Sequence, residues 1–235
     1  MAFSLAAPVV ASAQLGSLTE GFNDITTLSG AGWFTQNNSS PVGTTGWFQG
    51  NTGIFTAHAG AGNAYIAADF NNAANGPGLD TISNWLLTPV LDFSAGGVAT
   101  FYTRTVSSVE FPDRLQVRYS NAGASTNVGT SATDVGDFSN LLLDINPTYS
   151  ATGYPTAWTQ FTVTIPAGAN GRLAFRYFVE DGGPLGDNSD YIGIDTFQYT
   201  AIPEPGTLAL LGVAGLGGVY QVTSIRRRRR HRRQK

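Results

Sequence analysis

The sequence predicts an all-β fold, an antiparallel β-sandwich of jelly-roll type, followed by a C-terminal transmembrane helix. Three observations carry this. Short runs in which apolar and polar residues alternate recur through residues 14–200, each bounded by Gly, Asn, Asp or Pro. Period-two runs between frequent turns are what half-buried antiparallel strands look like. No stretch before residue 203 sustains a 3.6-residue period. Residues 207–225 carry no formal charge and run straight into Arg226, Arg227, Arg228, Arg229 and Arg230.

The strands are read in chain order. "AYIAADF" (64–70) and "NWLLTPVLDF" (84–93) are the first clear ones, and Trp85, between apolar neighbours, reads as core. "VATFYTRTV" (98–106) follows, then "RLQVRYS" (114–120), where Leu115, Val117 and Tyr119 share one face. Residues 121–156 read as a polar loop, a short element at 138–145 and a second loop. "QFTVTI" (160–165) turns Phe161, Val163 and Ile165 inward, and "RLAFRYFVE" (172–180) does so with Leu173, Phe175, Tyr177 and Val179. "YIGIDTFQY" (191–199) closes the set. Two sheets packed face to face bury such strands.

Composition narrows the function classes. The 235 residues suit one domain with terminal segments, and 42% apolar residues suffice for a core. There is no cysteine, so disulfides and thiolate metal sites are excluded. Lys235 is the one lysine, which excludes a phosphate-loop lysine and a Schiff base in the body. Before Arg226 stand five arginines and sixteen acids, a balance of −11, so the body is no nucleic-acid binder. Of two histidines, His231 lies in the tail and His58 reads as a bystander without a nucleophile elbow. No catalytic residue emerges, and the chain is read as not an enzyme.

Both ends read as address labels. Residues 1–13 are apolar and finish in Ala11-Ser12-Ala13, a small-residue pattern for signal-peptidase cleavage before Gln14. A basic leading segment is missing, so this is read as a partial signal peptide. Residues 201–206 form a linker in which Pro203, Glu204 and Pro205 hold the backbone extended and unpaired. Residues 207–225 would make a helix of about 28 Å, close to a hydrocarbon core of about 30 Å. Residues 226–235 then form a basic tail, costly to bury in lipid and favoured on the cytoplasmic side. The order PEP, apolar span and arginine block resembles the PEP-CTERM sorting signal of Gram-negative bacteria. That resemblance implies recognition by an exosortase-like membrane enzyme and export to the cell surface or an exopolysaccharide-rich biofilm matrix.

The body also carries a resemblance. The segments 20–51, 55–72, 82–89 ("ISNWLLTP"), 101–105, 113–120 and 191–197 ("YIGIDTF") are similar to the choice-of-anchor J family, related to cleaved-adhesin and MAM-type jelly rolls. The resemblance implies an extracellular sandwich with an adhesive or matrix-binding role. It further implies a structural cation, Ca2+, held by the acid of the opening E-x-F and that of the final G-I-D, here Glu20 and Asp195; a hydrogen-bonded carboxylate or an exposed face is the alternative. Asp195 interrupts an apolar strand, where a charge needs a partner. The acidic loop "EDGGPLGDNSD" (180–190) reads as a solvated turn, with calcium binding as the other reading.

Candidate ligand contacts are Trp47, Phe48, Gln49 and Asn51, aromatic faces beside amides of the kind that meet a polysaccharide. Arg104, Arg114 and Arg118 are a cationic cluster that either pairs with Asp113 or Glu110 or meets an acidic polysaccharide. Two readings compete with a binding module: an exported polysaccharide hydrolase using paired carboxylates, and a structural matrix component without a specific ligand.

Overall fold

The computed structural model describes residues 14–74 and 80–203. The signal-peptide reading (1–13), Glu204, Pro205, the span 207–225 and the arginine block lie outside the described residues. Among the described residues no helix is long and apolar enough to cross a membrane.

Residues 14–201 form an antiparallel two-sheet sandwich. Its strands are β1 (Ser17–Glu20), β2 (Phe34–Asn37), β3 (Phe48–Gln49), β4 (Ile66–Asp69), β5 (Asp80–Leu87) and β6 (Gly97–Thr105), then β7 (Leu115–Ser120), β8 (Asn140–Ile145), β9 (Thr159–Ile165), β10 (Arg172–Gly182) and β11 (Tyr191–Ala201). Two 3-10 turns, Ile25–Thr27 and Phe70–Asn72, are capped by the Asp24 and Asp69 carboxylates. One sheet runs β3-β4-β11-β6-β9, with β1 also on β11; the other runs β2-β5-β10-β7-β8. β8 and β9, the far edges of the two sheets, touch. The opposite side of the sandwich is therefore bounded by β2 and β3.

The alternating residues read from the sequence do point inward. Phe101 of β6 meets Phe175 of β10 edge to face across the sheets, 4.9 Å between centroids, and Phe175 meets Phe197 of β11 at 5.8 Å. The strand expected at 84–93 instead starts at Asp80 and stops at Leu87, because Pro89 offers no N–H to a central ladder.

Trp85 is buried, as expected, but not between the sheets. Its register partner is Arg176, and it packs with Leu87, Val128, Phe138 and Ala174 on the outer face of the second sheet. The loop 121–139 roofs that face. Arg176 lies beneath it at 2% exposure, its guanidinium 3.9 Å from the Phe178 centroid and 4.8 Å from that of Trp85. It donates to Ser83 Oγ, Gln116 Oε1 and the Ala132 carbonyl. Burial, then the charges of Arg118 and Arg114, lower its pKa to about 9.

The two sheets are also clasped by Asp113. Its carboxylate accepts from Thr105 Oγ1 on β6, Tyr177 Oη on β10 and the Asp190 amide. It is fully buried, and desolvation lifts its pKa to about 6 against those three hydrogen bonds.

Candidate functional site

The predicted contact stretch lies at the β2–β3 side; Trp47, Phe48 and Gln49 are half-buried and Asn51 is exposed. Phe48 packs edge-on against Tyr191 at 5.7 Å. Gln49 accepts from the Ile25 amide and donates to the Phe22 and Asn63 carbonyls, so its amide ties the 3-10 turn to β3. Asn51 accepts from the Gly53 amide in a tight turn. Phe48, Gln49 and Asn51 are thus each engaged within the protein, while Trp47 lines open clefts.

Trp47 forms the wall between two adjoining clefts of about 260 Å³ each, which share Thr35 as well. Thr35 and Asn37 of β2 lie opposite Leu86 and Asn84 of β5, and Asn84 and Leu86 lie opposite the core residues Tyr177 and Phe175. The inner face of β2 thus forms the rim of a mouth that opens into the sandwich. One cleft adds Trp33, Ile25, Leu28 and Ile66; the other adds Thr45, Gly46 and Asn84.

A ladder of asparagines sets this geometry. Asn37 Nδ2 donates to the Thr45 and Asn72 carbonyls, Asn72 Nδ2 to Thr45 Oγ1 and the Gly46 carbonyl, and Asn84 Nδ2 to Asn72 Oδ1. The segment carrying Trp47 is thereby pinned to two strands of the second sheet. Trp33 is fixed by edge contacts with Phe22 (5.5 Å) and Phe197 (5.7 Å).

Three residues that line these clefts each carry a polar atom buried without a partner: Trp33 Nε1, Trp47 Nε1 and Asn84 Oδ1. An unpaired buried polar atom costs about 1–3 kcal/mol, and folded proteins tolerate few. The other two tryptophans are satisfied, Trp85 by Ser83 Oγ at 3.2 Å and Trp158 by the Thr56 carbonyl at 2.9 Å. Trp33 was among the aromatics that the sequence offered for a carbohydrate platform, whereas Asn72 and Asn84 were not singled out; their one signal was an asparagine inside the apolar run "ISNWLL".

Glu20 and Asp195 come to one gap. β4 pairs with β11 over Tyr191–Ile194, β1 over Phe197–Thr200, and Glu20 is the β1 residue at the near end. Asp195 stands at the bulge between them. It is fully buried and accepts from the Ala59 and Thr196 amides; burial raises its pKa. Glu20 Oε1 accepts from the Phe22 amide at 2.7 Å. Among the described residues no arginine forms an ion pair with either. A buried carboxylate without a countercharge is a group that a hard cation can neutralise. No group of three or more His, Cys, Asp or Glu suitable for a metal occurs among the described residues. Carbonyl, amide or water oxygens would have to complete such a shell. Asn23 Oδ1 is at hand, 3.0 Å from where a Cβ on Gly60 would stand.

The arginine cluster does not pair as expected. Arg114 bridges Asp144 at 2.7 Å and Glu180 at 3.2 Å, Arg118 donates to Gln116 Oε1 and the Phe138 carbonyl, and Arg104 covers the Phe55 ring at 4.3 Å. Asp113 takes hydroxyls instead. His58 stacks on Tyr102, centroids 3.6 Å apart.

Residues 201–230 match the PEP-CTERM protein-sorting motif. Gingipain R1 and Lys-gingipain of Porphyromonas gingivalis are each 28% identical over 141 residues, 57% of this chain. The chain spans only 8% and 7% of their respective lengths. Among solved structures, the K1 cleaved adhesin domain of Lys-gingipain from P. gingivalis W83 is 25% identical, covering 80% of this chain and 99% of that domain at a TM-score of 0.55. The K2 cleaved adhesin domain is 23% identical, covering 78% and 99% at a TM-score of 0.52. The chain thus carries a PEP-CTERM protein-sorting motif behind a β-sandwich similar in sequence and fold to the cleaved adhesin domains of Lys-gingipain.

Proposed function

We propose that this protein is exported, sorted to the cell surface by its C-terminal signal, and works there as an adhesive or carbohydrate-binding module of an extracellular polysaccharide or biofilm matrix. One observation carries the reading. The sorting motif begins at Ala201, the last residue of β11, so a sandwich similar to adhesin domains passes directly into a processing signal. Pro203 is exposed, as access for an exosortase-like enzyme requires. In this reading residues 207–225 anchor the chain in the inner membrane of a Gram-negative cell until processing, with 226–235 inside. The repeated crossing of β4–β11 between the sheets, broken only by the β7–β8 pair, supports a jelly-roll wrap. Glu20 and Asp195 hold Ca2+, which neutralises the buried carboxylate and locks β1 to β11.

Mass spectrometry of the mature protein from cells tests the sorting step: a C-terminus near 203–206 is expected, and an intact arginine tail on surface material would overturn it. Matrix pull-down tests adhesion; no retention would favour a structural component without a ligand. A hydrolase reading keeps one supporting observation. Glu110 and Asp190 line a cleft of about 280 Å³ with Phe70 and Phe111, and burial together with Glu110 and Asp69 raises the Asp190 pKa. Release of reducing sugar from exopolysaccharide, abolished in Asp190→Asn, would favour it over binding alone.

A further inference from the structure

We infer that the two-chambered mouth between β2 and β3 is a binding site for an uncharged oligosaccharide, seated against Trp47 and reaching inward to Trp33 and Asn84. This rests on the carbohydrate-binding reading above and adds the site and the class of sugar.

The three orphaned atoms specify the ligand's polarity. Two indole N–H groups require acceptors, and the Asn84 carbonyl oxygen requires a donor. A sugar hydroxyl is both, and a pyranose ring offers several at fixed spacing. An ammonium group has nothing to accept from the indoles. A carboxylate or sulfate would satisfy the indoles but would face the Asn84 oxygen with no proton to give.

Charge decides between neutral and acidic sugars. None of the residues lining either chamber is charged. Residues 14–203 hold fifteen acids against five arginines, so an anionic chain approaches against the field of the body. The arginines that would compensate are engaged elsewhere: Arg114 with Asp144 and Glu180, and Arg118 with backbone carbonyls. The walls fit the remaining chemistry. Trp47, Phe34, Ile25 and Leu28 present apolar surface for the C–H faces of a ring. The asparagine ladder pre-forms the site, which limits the ordering cost of binding. Thr35 is exposed although it sits over the inner side of β2, so the mouth is open to solvent.

The test is an indole N–H titration of the isotope-labelled full chain. The four tryptophans give four signals, assigned by single Trp→Phe variants. Neutral gluco-, galacto-, manno- and xylo-oligosaccharides are added in turn, and oligogalacturonate serves as the acidic counterpart, at low and high salt. A neutral sugar is expected to shift Trp33 and Trp47 while Trp85 and Trp158, already bonded within the protein, stay in place. Thr35→Phe, which fills the mouth from an exposed position, is expected to weaken that binding at least tenfold without changing the melting temperature. Saturable sugar binding that leaves Trp33 and Trp47 unmoved, or that survives Thr35→Phe, would overturn the site while leaving the carbohydrate-binding reading intact. Salt-sensitive binding of oligogalacturonate alone would overturn the neutral class. Binding of no sugar at all would remove both the site and the carbohydrate part of the function, with matrix pull-down then reporting separately on adhesion.

Discussion

Asp113 makes the stability of the sandwich depend on pH in an unusual direction. Its pKa rises from 3.8 to about 6 on folding, and each unit corresponds to about 1.4 kcal/mol. The ionised carboxylate therefore costs the folded state roughly 3 kcal/mol above pH 7. Because the folded pKa is the higher one, the native state binds the extra proton. The group's contribution is most favourable below about pH 4 and is lost as pH rises through about 6. Acidification from pH 7 to 5 should recover on the order of 1 kcal/mol, or about 2–4 °C in melting temperature for a domain of this size. Asp190 is raised too and acts in the same sense. Asp113→Asn removes the charge and keeps the shape. Thr105 Oγ1 lies 3.0 Å from the Tyr191 carbonyl, so it can donate there while accepting from the new amide. The variant should be at least as stable as the parent at pH 7 and should respond less to acid. Urea denaturation of both proteins from pH 8 to 5 measures this. A parent that loses stability between pH 7 and 5, or an equal pH response in Asp113→Asn, would refute the reasoning.

Three further outcomes are expected. Added calcium should raise the melting temperature of the parent and leave Asp195→Asn unchanged; no shift in metal-stripped parent protein would rule out Glu20 and Asp195 as a cation site. Phe138→Ala should cost about 3–5 kcal/mol and expose Trp85, seen as a red shift in tryptophan emission; an unchanged spectrum would mean the 121–139 roof does not depend on that anchor. Gly171→Ala should prevent stable folding, since its Cβ would stand 1.7 Å from the Ser120 carbonyl oxygen where neither backbone can give way; soluble protein with the parental melting temperature would contradict the close approach of those chains.

The strands of the inner core were legible because burial on one face writes a period of two. Leu173, Phe175, Tyr177 and Val179 of β10 are the clearest case. β1, β2 and β3 were not legible. "SLTE", "FTQN" and "FQ" are short and largely polar, and they are strands because β11, β5 and β4 offer them hydrogen bonds, which no local pattern records. Trp47 stood out as an aromatic among amides. Gln49 looked the same in sequence, yet its partners at Phe22, Ile25 and Asn63 are remote along the chain. Asn37, Asn72 and Asn84 stand far apart along the chain, and only the sheet pairing assembles them. Trp85 was rightly seen as buried, but period-two alternation could not say that a distant loop would cover the outer side of its strand.

The roofing of the sheets has a consequence for how partners approach. Val128, Ala132 and Phe138 overlie one broad side, and Phe55 with Trp158 overlies part of the other. The broad sides thus give up to the chain's own loops much of the room where a flat array of parallel polymer chains would rest. In the binding reading proposed above, the rim beside Trp47 stays open where the broad sides do not, so in a loose hydrated gel the molecule would act as a clip on single filaments and not as a plate lying against a crystalline surface.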